Sequence, residues 1–171
     1  MGLRPARAIK NIAKVAWTRF SRKSPRRSFI KAMPHKDLNV FRMGQMRKDY
    51  DTVVHLEALE DLILRDNSIE SARQAANKYL EKLIMNNYYF IVRVFPHHVL
   101  RENKMIAGAG ADRLQKGMRM SFGRPVDRAA RIYGGIQVFT VHTYKMHLDK
   151  VKTAFERARR KLSGSYKIIV A

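Results

Sequence analysis

The chain of 171 residues has no cysteine, which excludes disulfides and cysteine-ligated zinc. No apolar run approaches the roughly 18 residues that a membrane-spanning helix needs. Residues 1–36 contain no Asp or Glu at all. An acid-free, Arg-rich N-terminus has the composition of a targeting peptide, but this one has no apolar stretch and its basic residues continue to Lys36. The cytoplasm is the expected compartment. Nucleotide-loop chemistry is missing too. Gly108-Ala109-Gly110 is followed by Arg113 where a third glycine of GxGxxG belongs, and no Walker Lys-Ser/Thr follows. His97-His98 has no clustered carboxylates beside it. Adjacent residues of an extended segment point to opposite sides, so the pair does not converge on one metal. Packing or RNA contact is the expected role of these histidines.

Positive charge is what the chain has in excess. There are 35 Lys and Arg against 14 Asp and Glu, a net of +21. Its distribution is uneven: +11 in residues 1–36, −2 in 37–92, and +6 in each of 93–133 and 134–171. A near-neutral module flanked by basic segments is the footprint of a nucleic-acid-binding protein. An apolar fraction of 46% is enough for a true core, and the length suits one domain plus a tail.

Residues 1–36 read as a basic extension, broken by Pro5, Pro25 and Pro34. Ile9, Ile12 and Val15 with Ala16 have the spacing of a short helix that forms on binding. Trp17 and Phe20 sit among Arg19, Arg22 and Lys23. They either anchor the tail on the domain or stack on bases. Residues 37–171 read as a single α+β domain. Leu38, Val40 and Phe41 predict a strand ending near Gly44, and Thr52–Leu59 a second. Asn67 or Ser68 is the expected N-cap of a helix running to about Met85, with Glu70 in its first turn. Its apolar stripe is Ile69, Ala72, Ala76, Tyr79, Leu80 and Leu83. Tyr88–Phe95 predicts a strand stopped by Pro96. Ala129–Tyr133 and Ile136–Tyr144 predict two more, joined by Gly134-Gly135 as a hairpin. Leu148, Val151, Phe155, Ala158 and Leu162 mark a second helix, with Gly164 as its C-cap, before a last strand at Tyr166–Val170. The expected fold class is α+β: a two-layer sandwich of a mixed β-sheet with two main helices. No internal repeat is visible.

Between these patterned parts lies HHVLRENKMIAGAGADRLQKGMRMSFGRP, from His97 to Pro125. It is a long internal loop with glycines, many cations and no hydrophobic period. Met105, Ile106, Leu114, Met118, Met120 and Phe122 alternate with Arg101, Lys104, Arg113, Lys116, Arg119 and Arg124. A long unpatterned loop in a compact domain has a function or is disordered, and cations interleaved with apolar groups suit a segment that orders on a polyanion. The small residues from Ala107 to Ala111 permit close backbone approach, while the cations meet phosphates. Met105, Met118 and Met120 fit either core filling or packing on RNA.

GAGADRLQKGMRMSFGRP, from Gly108 to Pro125, resembles the signature loop of a universal large-subunit ribosomal protein family, called L-ten-e in archaea and eukaryotes and L-sixteen in bacteria. PHHVLRENKM from Pro96 continues the likeness, IESARQAANKYL from Ile69 resembles the family's first long helix, and RPAR at Arg4–Arg7 its opening. The length, that opening and the ending soon after the final strand look archaeal. Asp127 departs from the pattern, standing where the family usually has a small residue, and an acid there weakens phosphate contact locally. The resemblance implies an α/β hammerhead-type domain that binds large-subunit ribosomal RNA near the central protuberance and helps shape the cleft for A-site tRNA. It further implies that the loop from about Met105 to Gly123 points toward the peptidyl-transferase region and P-site tRNA. Neighbouring large-subunit proteins are implied partners. No cofactor, metal, membrane or small-molecule substrate is expected.

The residues assigned to ribosomal RNA are Arg4, Arg7, Lys10, Arg19, Arg22, Lys23, Arg26 and Arg27 of the extension, Arg101 and Lys104 at the loop root, and Arg157 and Arg160 of the last helix. That helix carries Lys150, Lys152, Arg157, Arg159, Arg160 and Lys161 on one face, either a solvated surface or an RNA contact. The residues assigned to the tRNA-facing loop are Gly108, Ala109, Gly110, Ala111, Asp112, Arg113, Lys116, Arg119 and Arg124. Two other classes stand as alternatives. An RNA-processing or RNA-modifying enzyme needs paired catalytic groups, yet the one dense acidic cluster, Glu57, Glu60 and Asp61, reads as a solvated turn. A basic DNA-binding chromatin protein is suggested by charge alone.

Overall fold

A computed structural model describes Ile30 and residues 33–103, 108–110 and 123–171. The core is built against one five-stranded sheet. Its order is β1 (Arg42–Gly44), β4 (Tyr88–Val92), β7 (Gln137–Thr143), β2 (Thr52–Ala58) and β8 (Tyr166–Val170). Alternation drives this layer. In TVVHLEA the residues Thr52, Val54, Leu56 and Ala58 are buried and those between them half-exposed, the period-2 signature of a sheet with one covered face. Register places Leu56 beside Phe139 and Ile168, and Phe90 beside Val141, so these apolar residues share that face.

Two helices cover it, α1 (Asp66–Ile84) and α2 (Leu148–Arg159), and they pack on each other. Ile69, Ala72, Ala76 and Leu80 of α1, and Val151, Phe155 and Ala158 of α2, are fully buried at helical spacing. Phe90 is the hub. It meets Phe139 edge-on at 5.3 Å and Phe155 at 6.4 Å. Each such buried aromatic contributes roughly 1.5–3 kcal/mol through removal from water.

The α+β sandwich is as expected, but its strands form two sheets, and every pairing among the described residues is antiparallel rather than mixed. The second sheet runs β3 (Leu62–Arg65), β6 (Arg124–Ile132), β5 (His98–Glu102). Its existence corrects three expectations. Gly134-Gly135 does not close a hairpin: β6 pairs with β3 and β5, whereas β7 pairs with β2 and β4. The two glycines instead carry the chain from one sheet to the other. The Gly134 N–H donates to Asp61 Oδ1 (3.0 Å) and the Gly135 N–H to the Ala58 carbonyl (2.8 Å). Second, the unpatterned stretch from His97 is not loop from end to end, because its two ends are paired strands. Third, β3 went unseen in the sequence.

Other boundaries shift for local reasons. β1 begins only at Arg42, while Leu38 is fully buried without being in a strand. β4 stops at Val92, before Phe95. Helix α1 starts at Asp66, not after Asn67 or Ser68: Arg65 takes the N-cap position with extended backbone and no side-chain capping bond, and the Asp66 carboxylate accepts the Asn67 N–H (2.8 Å). Glu70 lies one turn further in and grips Arg73. Leu83, expected on the buried stripe, is exposed, whereas Arg73 and Ile84 are buried. Gly164 follows helix α2 by several residues, at φ +91°. A Cβ there would stand 2.6 Å from Leu62 Cδ2, so glycine is what lets this turn lie against β3.

Candidate nucleic-acid interface

The three-stranded sheet is the base of the long loop. Glu102 pairs with Arg124 and Arg101 with Pro125, with a bulge between Leu100 and Arg101. The loop therefore leaves and returns through neighbouring antiparallel strands, a closed root. Pro125 is tolerated in the central strand because β3 pairs only with Ala129–Ile132, leaving that end of β6 unpaired on one side. Gly123, at φ +76°, turns the chain into β6. A cleft of about 530 Å³ opens at the root, lined by Glu102, Asn103, Arg124, Pro125 and Val126. Arg101 is half-buried there and Arg124 exposed.

Gly108, Ala109 and Gly110 are all exposed. A Cβ added at Gly108 or Gly110 would come within 4 Å of no other part of the described chain. The φ of +76° at Gly110 requires glycine for backbone reasons. Internal packing, by contrast, does not demand small residues here.

The base of this sheet is fastened by charge. Arg65, at the end of β3, donates Nε and Nη2 to Asp127 Oδ2 of β6 (3.0 and 2.6 Å). Asp66, next in sequence and fully buried, accepts the Asp37 N–H on Oδ2 (3.0 Å). Arg128 Nε donates to the Pro34 carbonyl (2.8 Å). Segment 34–37 is thus tied across β3, β6 and the start of α1. Burial foremost, and then the neighbouring Asp127, push the Asp66 carboxyl up to about 6 against the opposing effect of the Asp37 and Asn67 N–H donors. The Asp127 carboxylate is neutralised by Arg65.

The basic face of α2 is partly engaged already. The Arg157 guanidinium lies 4.0 Å from the Tyr79 ring centroid on α1, although the residue stays exposed. A guanidinium stacked in this way keeps N–H donors at its rim for a phosphate. Arg159 pairs with Glu156 at 2.7 Å, and Lys150 Nζ donates to the Leu83 carbonyl (3.5 Å). Lys152, Arg160 and Lys161 are exposed.

The outer face of the five-stranded sheet carries polar groups that sequence reading did not single out. Arg93 Nε donates to Thr140 Oγ1 (3.2 Å), which also bonds His55 Nδ1 (3.0 Å), and His142 lies 5.9 Å from the Tyr89 ring. Burial first, then the Arg93 charge, lowers the pKa of both His55 and His142.

Of the assigned residues, Arg101, Gly108, Ala109, Gly110, Arg124, Arg157 and Arg160 are described. Arg101 and Arg124 both lie at the loop root, Arg101 opposite Pro125 and Arg124 opposite Glu102, while Arg157 lies on α2 and Arg160 caps its C-terminus. Arg4, Arg7, Lys10, Arg19, Arg22, Lys23, Arg26, Arg27, Lys104, Ala111, Asp112, Arg113, Lys116 and Arg119 lie outside the described residues. So do the expected short helix at Ile9–Ala16, Trp17 and Phe20, and Met105, Met118 and Met120. Among the described residues no group of three or more His, Asp or Glu side chains is placed to hold a metal, and no helix is long and apolar enough to cross a membrane.

A strongly basic α+β domain, with a loop rooted on paired strands and cations on a second surface, defines a protein of the kind that contacts polyanions. Residues 18–169 match the ribosomal protein L16p/L10e family. The chain is 43% identical to the large ribosomal subunit protein uL16 of Staphylothermus marinus over 170 residues, covering 99% of this chain and 94% of that protein. It is 49% identical to that of Hyperthermus butylicus over 138 residues, 80% and 77% of the two chains. The protein of the same name from Thermofilum pendens is 42% identical over 171 residues, 99% and 98% of the two. This chain belongs to the ribosomal protein L16p/L10e family, whose members are structural components rather than enzymes.

Proposed function

We propose that this protein is a structural constituent of the large ribosomal subunit, bound in the cytoplasm to large-subunit ribosomal RNA and neighbouring ribosomal proteins. The observation that carries the assignment is the end-to-end match to archaeal proteins of that name. Its role is electrostatic and geometric. The basic extension of residues 1–36 and the cations of α2, Arg157 and Arg160 among them, neutralise ribosomal RNA phosphates. The domain of residues 37–171 sets position. The loop at 105–123 helps place A-site and P-site tRNA near the peptidyl-transferase centre, with Gly108–Arg113, Lys116, Arg119 and Arg124 facing that region. The closed β5–β6 root supports this reading, as do small residues that internal packing does not require.

Sucrose-gradient sedimentation of native extract tests the assignment. Co-sedimentation with the large subunit and with translating ribosomes, resistant to a high-salt wash, is the expected result. Recovery only in light fractions or on DNA overturns it. Affinity for isolated ribosomal RNA falls with salt, with a log–log slope of about −0.7 to −0.9 per neutralised phosphate. Replacing Gly108–Asp112 with a short linker leaves incorporation intact and impairs tRNA handling. Loss of incorporation with normal tRNA binding in residual particles would reassign the loop.

A further inference from the structure

Three aromatic rings gather where the edge strand β1 meets the chain leaving β4. Phe41 and Phe95 stack with centroids 5.5 Å apart and planes 17° from parallel. The His97 ring follows at 4.5 Å from Phe95. The Lys36 ammonium stands 5.4 Å from the Phe41 centroid and 5.1 Å from that of Phe95. Phe41 is anchored against the core, and its carbonyl accepts the Val92 N–H (2.8 Å). Phe95 is 38% exposed, and His97 is exposed as well. Folding alone gives no reason to present an ordered stack of rings to water.

We infer that Phe41, Phe95, His97 and Lys36 form a stacking site for one unpaired base of RNA, with Lys36 meeting the adjacent phosphate. Any base presents a π-face to such a platform, and the Phe41 and Phe95 rings are already stacked, with His97 tilted 44° beside them, so little order is lost on binding. Charge favours RNA over an apolar protein partner. Lys36 lies within cation–π reach of both phenyl rings, and Arg42, exposed beside Phe41, adds a second cation at the same edge. The nearby acid is Asp37, half-exposed, with its carboxylate 3.9 Å from His35. The inference rests on the RNA-binding reading above and adds a stacking site to it.

The test uses the full chain and a labelled single-stranded oligouridine, with duplex RNA of equal length as control. High salt screens the phosphate contribution and leaves stacking visible. Phe95→Ala should weaken single-strand binding about tenfold and leave duplex binding unchanged, in keeping with the usual contribution of one stacked base. Phe95→Trp should restore binding, Phe95→Leu should not, and ultraviolet cross-linking should join RNA to Phe95 or His97. Because Phe95 lies outside the buried core, its variants are expected to melt with the parent. Equal loss on duplex and single strand, full binding by Phe95→Leu, or unchanged binding by Phe95→Ala each overturns the stacking site. The Phe95→Leu result would point to an apolar protein contact instead. A parent chain that binds neither RNA overturns the RNA-binding reading along with the site.

Discussion

The two sheets are built for different ends. The five-stranded sheet buries alternate residues of β2 and β4, and its register brings Leu56, Phe90, Phe139 and Val141 into one core. The three-stranded sheet holds its base with an Arg65–Asp127–Asp66 cluster and extends β5 and the first half of β6 past β3 to launch a loop. One sheet uses apolar area for stability. The other gives up part of its pairing so that a segment can project. Side-chain losses in the first should therefore unfold the protein, and changes at the tip of the second should leave it folded.

Phe90→Ala is the strongest blow to the first sheet. It removes the ring shared by Phe139 and Phe155 at a site with no exposure, and should cost about 3–5 kcal/mol by denaturant unfolding. A loss under about 1 kcal/mol would mean that the core is centred elsewhere.

Arg65→Ala attacks the base of the second sheet. Its partner Asp127 is only 14% exposed, so losing the cation leaves a largely desolvated carboxylate beside Asp66. The expected cost is about 3 kcal/mol, and Asp127→Ala should cost less once Arg65 is already gone. Additive losses in that double-mutant cycle would show that the pair is not coupled.

The same cluster has a pH signature. Asp66 is raised from the ordinary carboxyl range to about 6, so the folded state binds a proton that the unfolded state has already lost. That stability is present at low pH and disappears as pH rises through about 6. Asp66→Asn removes the titration. The difference in stability, variant minus parent, should therefore grow by about 2 kcal/mol from pH 4 to pH 7, less than the full shift gives because the unfolded-state carboxyl is already partly ionised at pH 4. The acceptor lost in the amide costs the same at every pH, so only the slope matters. A flat difference between the two thermal-melt series rules out a raised Asp66 carboxyl. His55 and His142, whose pKa values are lowered, work the other way in both proteins, losing stability as pH falls through their range, and cancel in the difference.

The first sheet was largely legible in the sequence because its signals are periodic. Thr52–Leu59 alternates, Ile69 to Leu80 repeats at helical spacing, and Tyr166–Val170 is a short apolar strand after a glycine. The second sheet was hidden because its signals are not. LILR is buried at its first three positions with no alternation to read, and β5 is half-buried at most of its positions. A Gly-Gly turn states that the chain reverses, not which sheet each arm joins. The Phe41–Phe95 stack joins residues more than fifty positions apart, a proximity that only the β1–β4 pairing creates. Charge, by contrast, was readable from the start, as was the glycine-bearing loop. Which cations already serve the fold, as Arg157 does on Tyr79, needed side-chain geometry.

The smallest expected effect on stability is the sharpest test of the contrast between the sheets. Ala109 is exposed, between two glycines whose added Cβ atoms would come within 4 Å of no described part of the chain. Ala109→Leu therefore disturbs no internal packing and should change stability by less than about 0.5 kcal/mol. If the tip enters a crowded cavity in RNA, the extra side-chain volume has nowhere to go there, and overpacking is costly. Subunits carrying the variant should then sediment normally yet synthesise polypeptide more slowly, with weakened P-site tRNA binding. A variant that is stable and fully active in translation would show that the tip is not closely surrounded. A destabilised one would show that the loop packs on its own domain, and the division of labour between the two sheets would fail at the place where it is drawn most plainly.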